Sequence, residues 1–419
     1  MSKVADRPPA PASVLRDGGF LRLWLGVTAS GLATWSLPFV LGLAVLDRQL
    51  GAAGLGVVLA ARTAGFLVAV PVGGVLADRH SRRSVVLLAG LAAALATPVI
   101  ALGLAAGSVP WMAAGAVVVG AGQGACRPAF QALTVEVVPA PRRQQANAAL
   151  SLAVRVTTLV APGLTALLAA VLGVRALLLG TAVCWLLAAL VPPPGRHVPP
   201  SGADRVSFVG GFLDGVREAR RHPWFLAGLG ALTAVIALGY SATGVLLPLV
   251  SRDRYGTEAV LAMALTGYTL GALLGALVTA RLRPRAEGWA ALAGLAAYGV
   301  APLSLLLPGP AVLVVVAYAV AGVGIELFNV PWFTAIQREV EPRLLARVSS
   351  LDFLLSYGLA PVGLALIAPA AEAFGATAVL VLCAVVCFLA PGLAALAPGA
   401  RGFAAPPAVT ADSAARRGS

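Results

Sequence analysis

Glu326 is the residue best placed to do chemistry in this chain, because it lies midway along an apolar run with no basic residue near it in sequence. An ionisable group in hydrocarbon is costly unless it is paired, and such groups mark ion and substrate pathways. A second polar feature is the stripe Gln123, Arg127 and Gln131, spaced i, i+4, i+8 so that all three share one helix face. Arg62 and Arg155 also fall inside apolar runs. Each is either a substrate contact or a long side chain that snorkels or caps the carbonyls of a neighbouring helix. Outside the middle of the chain, charge is densest from Gly73 to Arg83. There Gly73 and Gly74 permit close helix approach, and Asp78 is an anion suited to capping or facing a helix N-terminus. Arg79, Arg82 and Arg83 are cations suited to the cytoplasmic lipid surface.

Other chemistries find little support. Cys126, Cys184, Cys383 and Cys387 all lie in apolar runs without a C-x-x-C or a nearby histidine, so they read as small core residues. His80, His197 and His222 lie in loops, and no metal site or cofactor is expected. Lys3 is the sole lysine, so no Walker A ATPase is present. Gly120, Gly122 and Gly124 are inside an apolar run without the strand-turn-helix setting of a nucleotide loop. With no G-x-S-x-G or H-E-x-x-H motif, the chain does not read as an enzyme.

The elements that must position these residues follow from composition. Hydrophobic residues make up 59% of the 419 residues and charged ones 11%, against about 45–50% and about 25% in soluble domains. The chain is therefore expected to be an all-α polytopic membrane protein in a lipid bilayer. Apolar runs at 21–46, 54–77, 84–106, 110–133, 146–172, 175–192, 224–250, 258–280, 288–307, 310–336, 347–371 and 375–397 predict twelve transmembrane helices. A bilayer requires about 20 residues per helix. The net charge of +13 does not point to nucleic acid. With both termini inside, twenty-three of the thirty basic residues fall in inner segments, and four (Arg48, Arg175, Arg252, Arg254) fall in outer loops. That asymmetry predicts cytoplasmic termini and a plasma-membrane location.

Residues 1–18 and 399–419 read as disordered cytoplasmic tails. They flank an N-terminal six-helix bundle at 19–192 and a C-terminal one at 224–398. Between them, 193–223 is a linker whose Val206–Arg221 stretch reads as an amphipathic helix, with Phe208, Phe212 and Val216 on one face, lying along the inner leaflet. The halves repeat at an offset of about 200 residues: Ala121–Gly124 matches Ala321–Gly324, and Ala161-Pro162 matches Ala360-Pro361. Gly267, Gly271 and Gly275 form a close-packing stripe on the eighth span. Six like-oriented spans repeated predict a transporter with its site between the halves.

The stretch Gly74-Val75-Leu76-Ala77-Asp78-Arg79-His80-Ser81-Arg82-Arg83 resembles the loop between the second and third helices of the major facilitator superfamily, departing in Ser81 where that loop carries a glycine. Ala146-Asn147-Ala148, Ala161-Pro162-Gly163, Thr334-x-x-Gln337 and Arg347-Val348-Ser349-Ser350-Leu351-Asp352 resemble the drug–proton antiporter branch that includes macrolide-efflux and siderophore-exporter proteins. The resemblance covers residues 20 to about 397 and implies export of a small amphipathic compound by alternating access. Relatives in that branch often carry Gly-Asp midway along the first span, where this chain has Ala33-Thr34, which puts coupling through that span in doubt.

In the superfamily's fold, spans one, four, seven and ten line the central cavity. The resemblance therefore implies that Arg127 and Glu326 face each other, either as a static lock between halves or as a pair made and broken as Glu326 is protonated. It also makes Trp35, Gln123, Gln131, Tyr240, Asn329, Trp332 and Phe333 candidate cavity residues, with Phe328 beside them. Glu136, Asp352 and Asp78 fall at inner helix ends, where ion pairs with Arg142, Arg143, Arg347 or the Gly73–Arg83 stretch would form an inner gate. The alternative is solvated surface pairs worth under about 1 kcal/mol. The expected function is a monomeric secondary transporter exporting a small organic molecule against protons or another coupling ion. Uptake symport or facilitated diffusion by the same fold is the alternative, ahead of a membrane sensor or a membrane enzyme.

Overall fold

A computed structural model describes residues 13–169, 171–195, 208–257, 259–282 and 284–404. Among these no strand occurs, and fourteen helices form. The first six are α1 (Gly18–Leu46), α2 (Ala52–Arg79), α3 (Arg82–Ala105), α4 (Val109–Val137), α5 (Arg143–Ala169) and α6 (Val174–Leu190). A connecting helix, α7 (Phe208–Arg220), leads to α8 (Pro223–Tyr255), α9 (Ala259–Arg281), α10 (Glu287–Leu306) and α11 (Ala311–Glu339). The chain ends in α12 (Leu345–Gly358), α13 (Ala360–Phe374) and α14 (Ala376–Ala394). Ten helices are long and apolar enough to cross a membrane, and α6, at 17 residues, is a shorter apolar helix. The eleventh span, expected as one helix, is broken at Leu359 into α12 and α13. Pro361 accounts for the break: it has no amide hydrogen to donate to the Tyr357 carbonyl, so the hydrogen-bond ladder is interrupted there while Leu359 stays near helical geometry (φ −86°, ψ −13°).

Local chemistry sets several ends. The Asp17 carboxylate accepts from the Gly19 and Phe20 amides (2.9 and 3.1 Å) at the start of α1. Gly256 closes α8 in the left-handed region, at φ 66°. Within α8, Val235–Tyr240 widens into a π-helical turn. Such turns in membrane helices shift the register of the faces around them.

The two halves pack by one plan. In the first, α2 and α3 lie on α4, α3 on α6, and α1 on α5 and α6. In the second, α9 and α10 lie on α11, α10 on α14, and α8 on α13 and α14. The pairings correspond span for span, which is the six-helix repeat in three dimensions. In two of these pairs, α2 with α4 and α9 with α11, glycines bring backbone against backbone. Gly120 sits against the Arg62 carbonyl and Gly65 against that of Val117, while Gly271 sits against the Ala319 carbonyl and Gly322 against that of Tyr268. A side chain at any of these would meet backbone, which cannot yield. Gly271→Val is therefore expected to destabilise by about 1–3 kcal/mol or more, read as a lower melting temperature in detergent. Gly163→Ala, on open space along α5, is expected to stay within about 0.5 kcal/mol of wild type.

Expectations for the connecting segments need correction. Phe212 and Val216 of α7 pack on the protein core, and the helix rests on α2 and α12, so these apolar side chains are taken by protein. Val206 and Ser207 lie outside the described residues. The second tail is ordered through Ala404: the Gly288 amide donates to the Arg401 carbonyl (2.9 Å), and Arg338 donates to the Gly402 carbonyl (2.9 Å). Phe403 is buried among Trp224, Phe328 and Trp332. In the first tail, Val14–Arg16 forms a 3-10 turn with Val14 buried. Residues 1–12 and 405–419 lie outside the described residues.

Candidate functional site: a charged cavity between the bundles

Between the halves lies a cavity of about 130 Å³, lined from both sides. Its first-half wall includes Trp35 of α1, Arg127 and Gln131 of α4, and Asn147 and Arg155 of α5. Its second-half wall includes Glu326, Asn329 and Phe333 of α11 and Phe353 and Tyr357 of α12. Trp35 and Tyr357, at the end of the cavity away from the α2–α3 connection, are 37% and 42% exposed. Asn147 and Gln337, at the other end, are 2% and 4% exposed, so the cavity opens away from that connection.

Glu326 meets a guanidinium, but not the expected one. Its Oε1 accepts from Arg155 Nε at 2.8 Å and Nη2 at 2.7 Å, joining α11 to α5 across the bundle boundary. Asn329 Nδ2 lies 3.5 Å from the same oxygen, and Glu326 Oε2 is buried without a hydrogen-bond partner. The Tyr268 ring lies 5.8 Å from the Arg155 guanidinium carbon. Arg127 stands apart, over the rings of Tyr357 (5.0 Å), Phe353 (5.7 Å) and Phe66 (5.9 Å). The i+4 stripe does not hold together either. Arg127 and Gln131 line the cavity, whereas Gln123 turns aside to accept from Arg62 Nη2 at 2.7 Å. Arg62 also donates to the Thr34 carbonyl at 3.1 Å.

Below the ion pair a layer of uncharged polar groups closes the cavity. Asn147 Nδ2 donates to Thr334 Oγ1 (2.9 Å) and Gln337 Oε1 (3.0 Å), and Gln337 Nε2 donates to Gln131 Oε1 (3.0 Å) and Asn147 Oδ1 (3.2 Å). Gln144 Nε2 donates to the Thr279 and Leu282 carbonyls at 2.8 and 3.0 Å. All of these bonds but the one from Gln337 to Gln131 involve α5, and all of them bridge the two halves.

Beneath that layer, the Gly73–Arg83 stretch ties α2 to α12. Gly74 lets the helices touch, since a Cβ there would lie 2.6 Å from that of Ser350. Gly73 sits against Ala125 of α4. Asp78 caps α12: its two oxygens accept from the Ala346 amide at 3.1 Å and the Arg347 amide at 2.9 Å, satisfying donors that a helix start leaves free. Arg82 and Arg347 lie 3.8 and 3.7 Å from the same carboxylate. Arg82 also donates to Glu136 Oε1 at 2.6 Å and to the Pro342 carbonyl. Arg143 donates to the Gln337 carbonyl at 3.0 Å. Arg83 donates to the Leu190 carbonyl at 3.1 Å, Arg142 lies 4.0 Å from Asp17, and Arg79 lines a charged groove with Asp214 and Arg217 of α7.

Several expected roles are overturned by placement. Glu136 is not among them: it pairs with Arg82 of the Gly73–Arg83 stretch. Asp352 does not join the gate; buried inside the second half, it accepts from Trp332 Nε1 at 2.9 Å. Trp332 and Phe328 are fully buried in a cluster with Trp224 and Phe225, so neither lines the cavity. Tyr240, on the π-helical turn, is 48% exposed but does not line it either. Sequence reasoning underrated Arg155 and did not single out Gln144 or Tyr357. For Arg155 the available signal was its place in an apolar run, the same signal that identified Glu326.

By structure the chain is similar to the human organic anion transporter MFSD10 (TETRAN), with a TM-score of 0.73 at 17% identity, covering 93% of this chain and 100% of that one. It is also similar to a bacterial homologue of the iron transporter ferroportin in an outward-facing state, with a TM-score of 0.72 at 16% identity, covering 90% and 96%. No protein of curated function matches it by sequence. The profile of the Major Facilitator Superfamily matches residues 23–364. With that match over most of its length and the six-helix repeat behind it, the chain belongs to the Major Facilitator Superfamily.

Proposed function

We propose that this multi-pass membrane transporter exports a small organic molecule by alternating access, in exchange for protons, with Glu326 and Arg155 as the coupling pair. The observation that carries the reading is a single buried ion pair joining α5 to α11 inside the cavity between the bundles. Protonating Glu326 removes the attraction between the halves, and the cost of an unpaired Arg155 then favours a rearrangement that brings it to water or to cargo. Proton binding and bundle movement are thereby the same event. The basic loops assign the α2–α3 connection to the cytoplasm, which makes the latched end the inner one and the arrangement outward-open. The cavity is smaller than the about 300–1,000 Å³ of a drug-sized site, so a compact cargo fits this reading better than a macrolide. The transporter works as a monomer in the cell membrane, with both termini cytoplasmic.

A sensitivity panel in an efflux-deficient host would identify a cargo, and everted vesicles would then test coupling. An imposed gradient, acid inside, is expected to drive that cargo inward, and a protonophore to abolish the uptake. Transport indifferent to the gradient would remove the proton from the mechanism.

A further inference from the structure

We infer that the cargo carries an anionic group and that Arg127 receives it. This inference rests on the transport reading above and names the class of molecule carried. The middle of the membrane region holds three guanidinium groups, Arg62, Arg127 and Arg155, and the cavity among them holds one carboxylate, Glu326. That carboxylate is taken by Arg155 through two contacts to one oxygen. The other buried acid nearby, Asp352, faces away into the aromatic cluster on Trp332. Arg62 is held by Thr34 and Gln123, which carry no charge, and adds to the positive field at Arg127.

Among the described residues Arg127 has aromatic faces as its neighbours and no carboxylate within ion-pair distance. Cation–π contact recovers part of the cost of withdrawing a guanidinium from water, about 0.5–2 kcal/mol per ring. Arg127 is part-exposed on the cavity wall, so its charge faces the cavity with no protein counter-charge beside it, and an entering anion would supply one. The rings flank the guanidinium, and among the described residues no hydrogen bond takes its nitrogens, which leaves them for an oxyanion that arginine binds through paired hydrogen bonds. The remaining lining suits the rest of such a molecule: Trp35 and Phe333 offer apolar faces, and Asn329 and Gln131 offer amides. A compact organic anion with an apolar or aromatic body is the class that fits.

Equilibrium binding to the purified full-length protein, with no proton gradient present, tests this separately from coupling. The probes are benzoate, benzenesulfonate and phenylphosphonate, with benzamide and benzylamine as neutral and cationic counterparts. At least one anion is expected to quench tryptophan fluorescence and raise the melting temperature, with the neutral and cationic probes ten-fold or more weaker. Arg127→Gln is expected to weaken that anion by about 10- to 100-fold, the range for one charge-assisted contact. Arg127→Lys, which keeps the charge, is expected to retain the preference for anions. Absence of binding by all three anions, equal binding of benzamide or benzylamine, or unchanged affinity in Arg127→Gln would each overturn the inference. The wild-type probe series does not depend on any variant folding. Anion binding without gradient-driven transport would sink the coupling scheme and leave the cargo class standing; transport without anion preference would do the reverse.

Discussion

Glu326→Gln is expected to lower gradient-driven transport at least a hundred-fold. Glutamine keeps the size and one acceptor oxygen but cannot take or release a proton, so it holds the site in an imitation of the protonated state. It also leaves Arg155 without a counter-charge, and breaking one side of a buried pair costs about 3–5 kcal/mol. Stability loss alone could therefore mimic a transport defect, and the double variant Glu326→Gln with Arg155→Gln separates the two. With both charges gone the melting temperature is expected to return toward wild type while gradient-driven transport stays lost. A pair serving only as a structural clamp predicts that the double variant recovers both. Downhill exchange, which needs no net proton movement, is expected to persist in the double variant. Wild-type rates of gradient-driven transport in Glu326→Gln would end the coupling assignment.

Asp78→Asn is the second large effect, and it acts on conformation. Asp78 accepts two backbone amides at the start of α12 and lies within 4 Å of two guanidinium groups. Hydrogen bonds to a charged group contribute about 1.5–3 kcal/mol each. The two amides meet separate oxygens of Asp78, so asparagine would turn its donor Nδ2 toward one of them, and it offers no charge to Arg82 or Arg347. A loss of about 3 kcal/mol moves a two-state equilibrium by about a hundred-fold. In a background with the native cysteines replaced, a reporter cysteine in place of Thr334 is expected to be shielded in the latched form. In Asp78→Asn it is expected to react with a polar maleimide from the latched side ten-fold faster or more. Equal labelling rates in the two proteins would show that the cap does not govern opening.

How much of this was legible in the sequence depends on which coordinate is asked for. Depth along the membrane is readable, because each residue of a span advances the chain by a fixed rise. The repeat offset placed Arg127 and Glu326 at similar depth, and both do line the cavity. Rotation about the helix axis is not readable in the same way. Successive residues lie about 100° apart, so Phe333 faces the cavity while Trp332 beside it packs into the second half. For the same reason Gln123 and Gln131 part company, once close packing of α4 on α2 fixes which side is exposed. Asp78 was legible as a cap because its neighbours in sequence signal a helix end. Its partner amides at Ala346 and Arg347, hundreds of residues away, were not. The interlocked amides of Asn147 and Gln337 have no periodic signature at all, since uncharged polar residues in apolar runs are ordinary. The break at Leu359 was available from Pro361 and was passed over in favour of one long apolar run.

The glycine contacts give the molecule its mechanics. Gly65 and Gly120 seat α2 against α4 backbone to backbone, and Gly271 and Gly322 do the same for α9 and α11, so no side chain lies between the members at these points to take up a displacement. Movement of one member is therefore expected to carry the other with it. A tug on Asp78 at the foot of α2 is thus delivered to the helix bearing Arg127, and strain where Gln144 grips the end of α9 reaches the helix bearing Glu326. Two stiff levers, each with one arm at the seal and one at the charges, would keep the two events in step without any flexible relay between them.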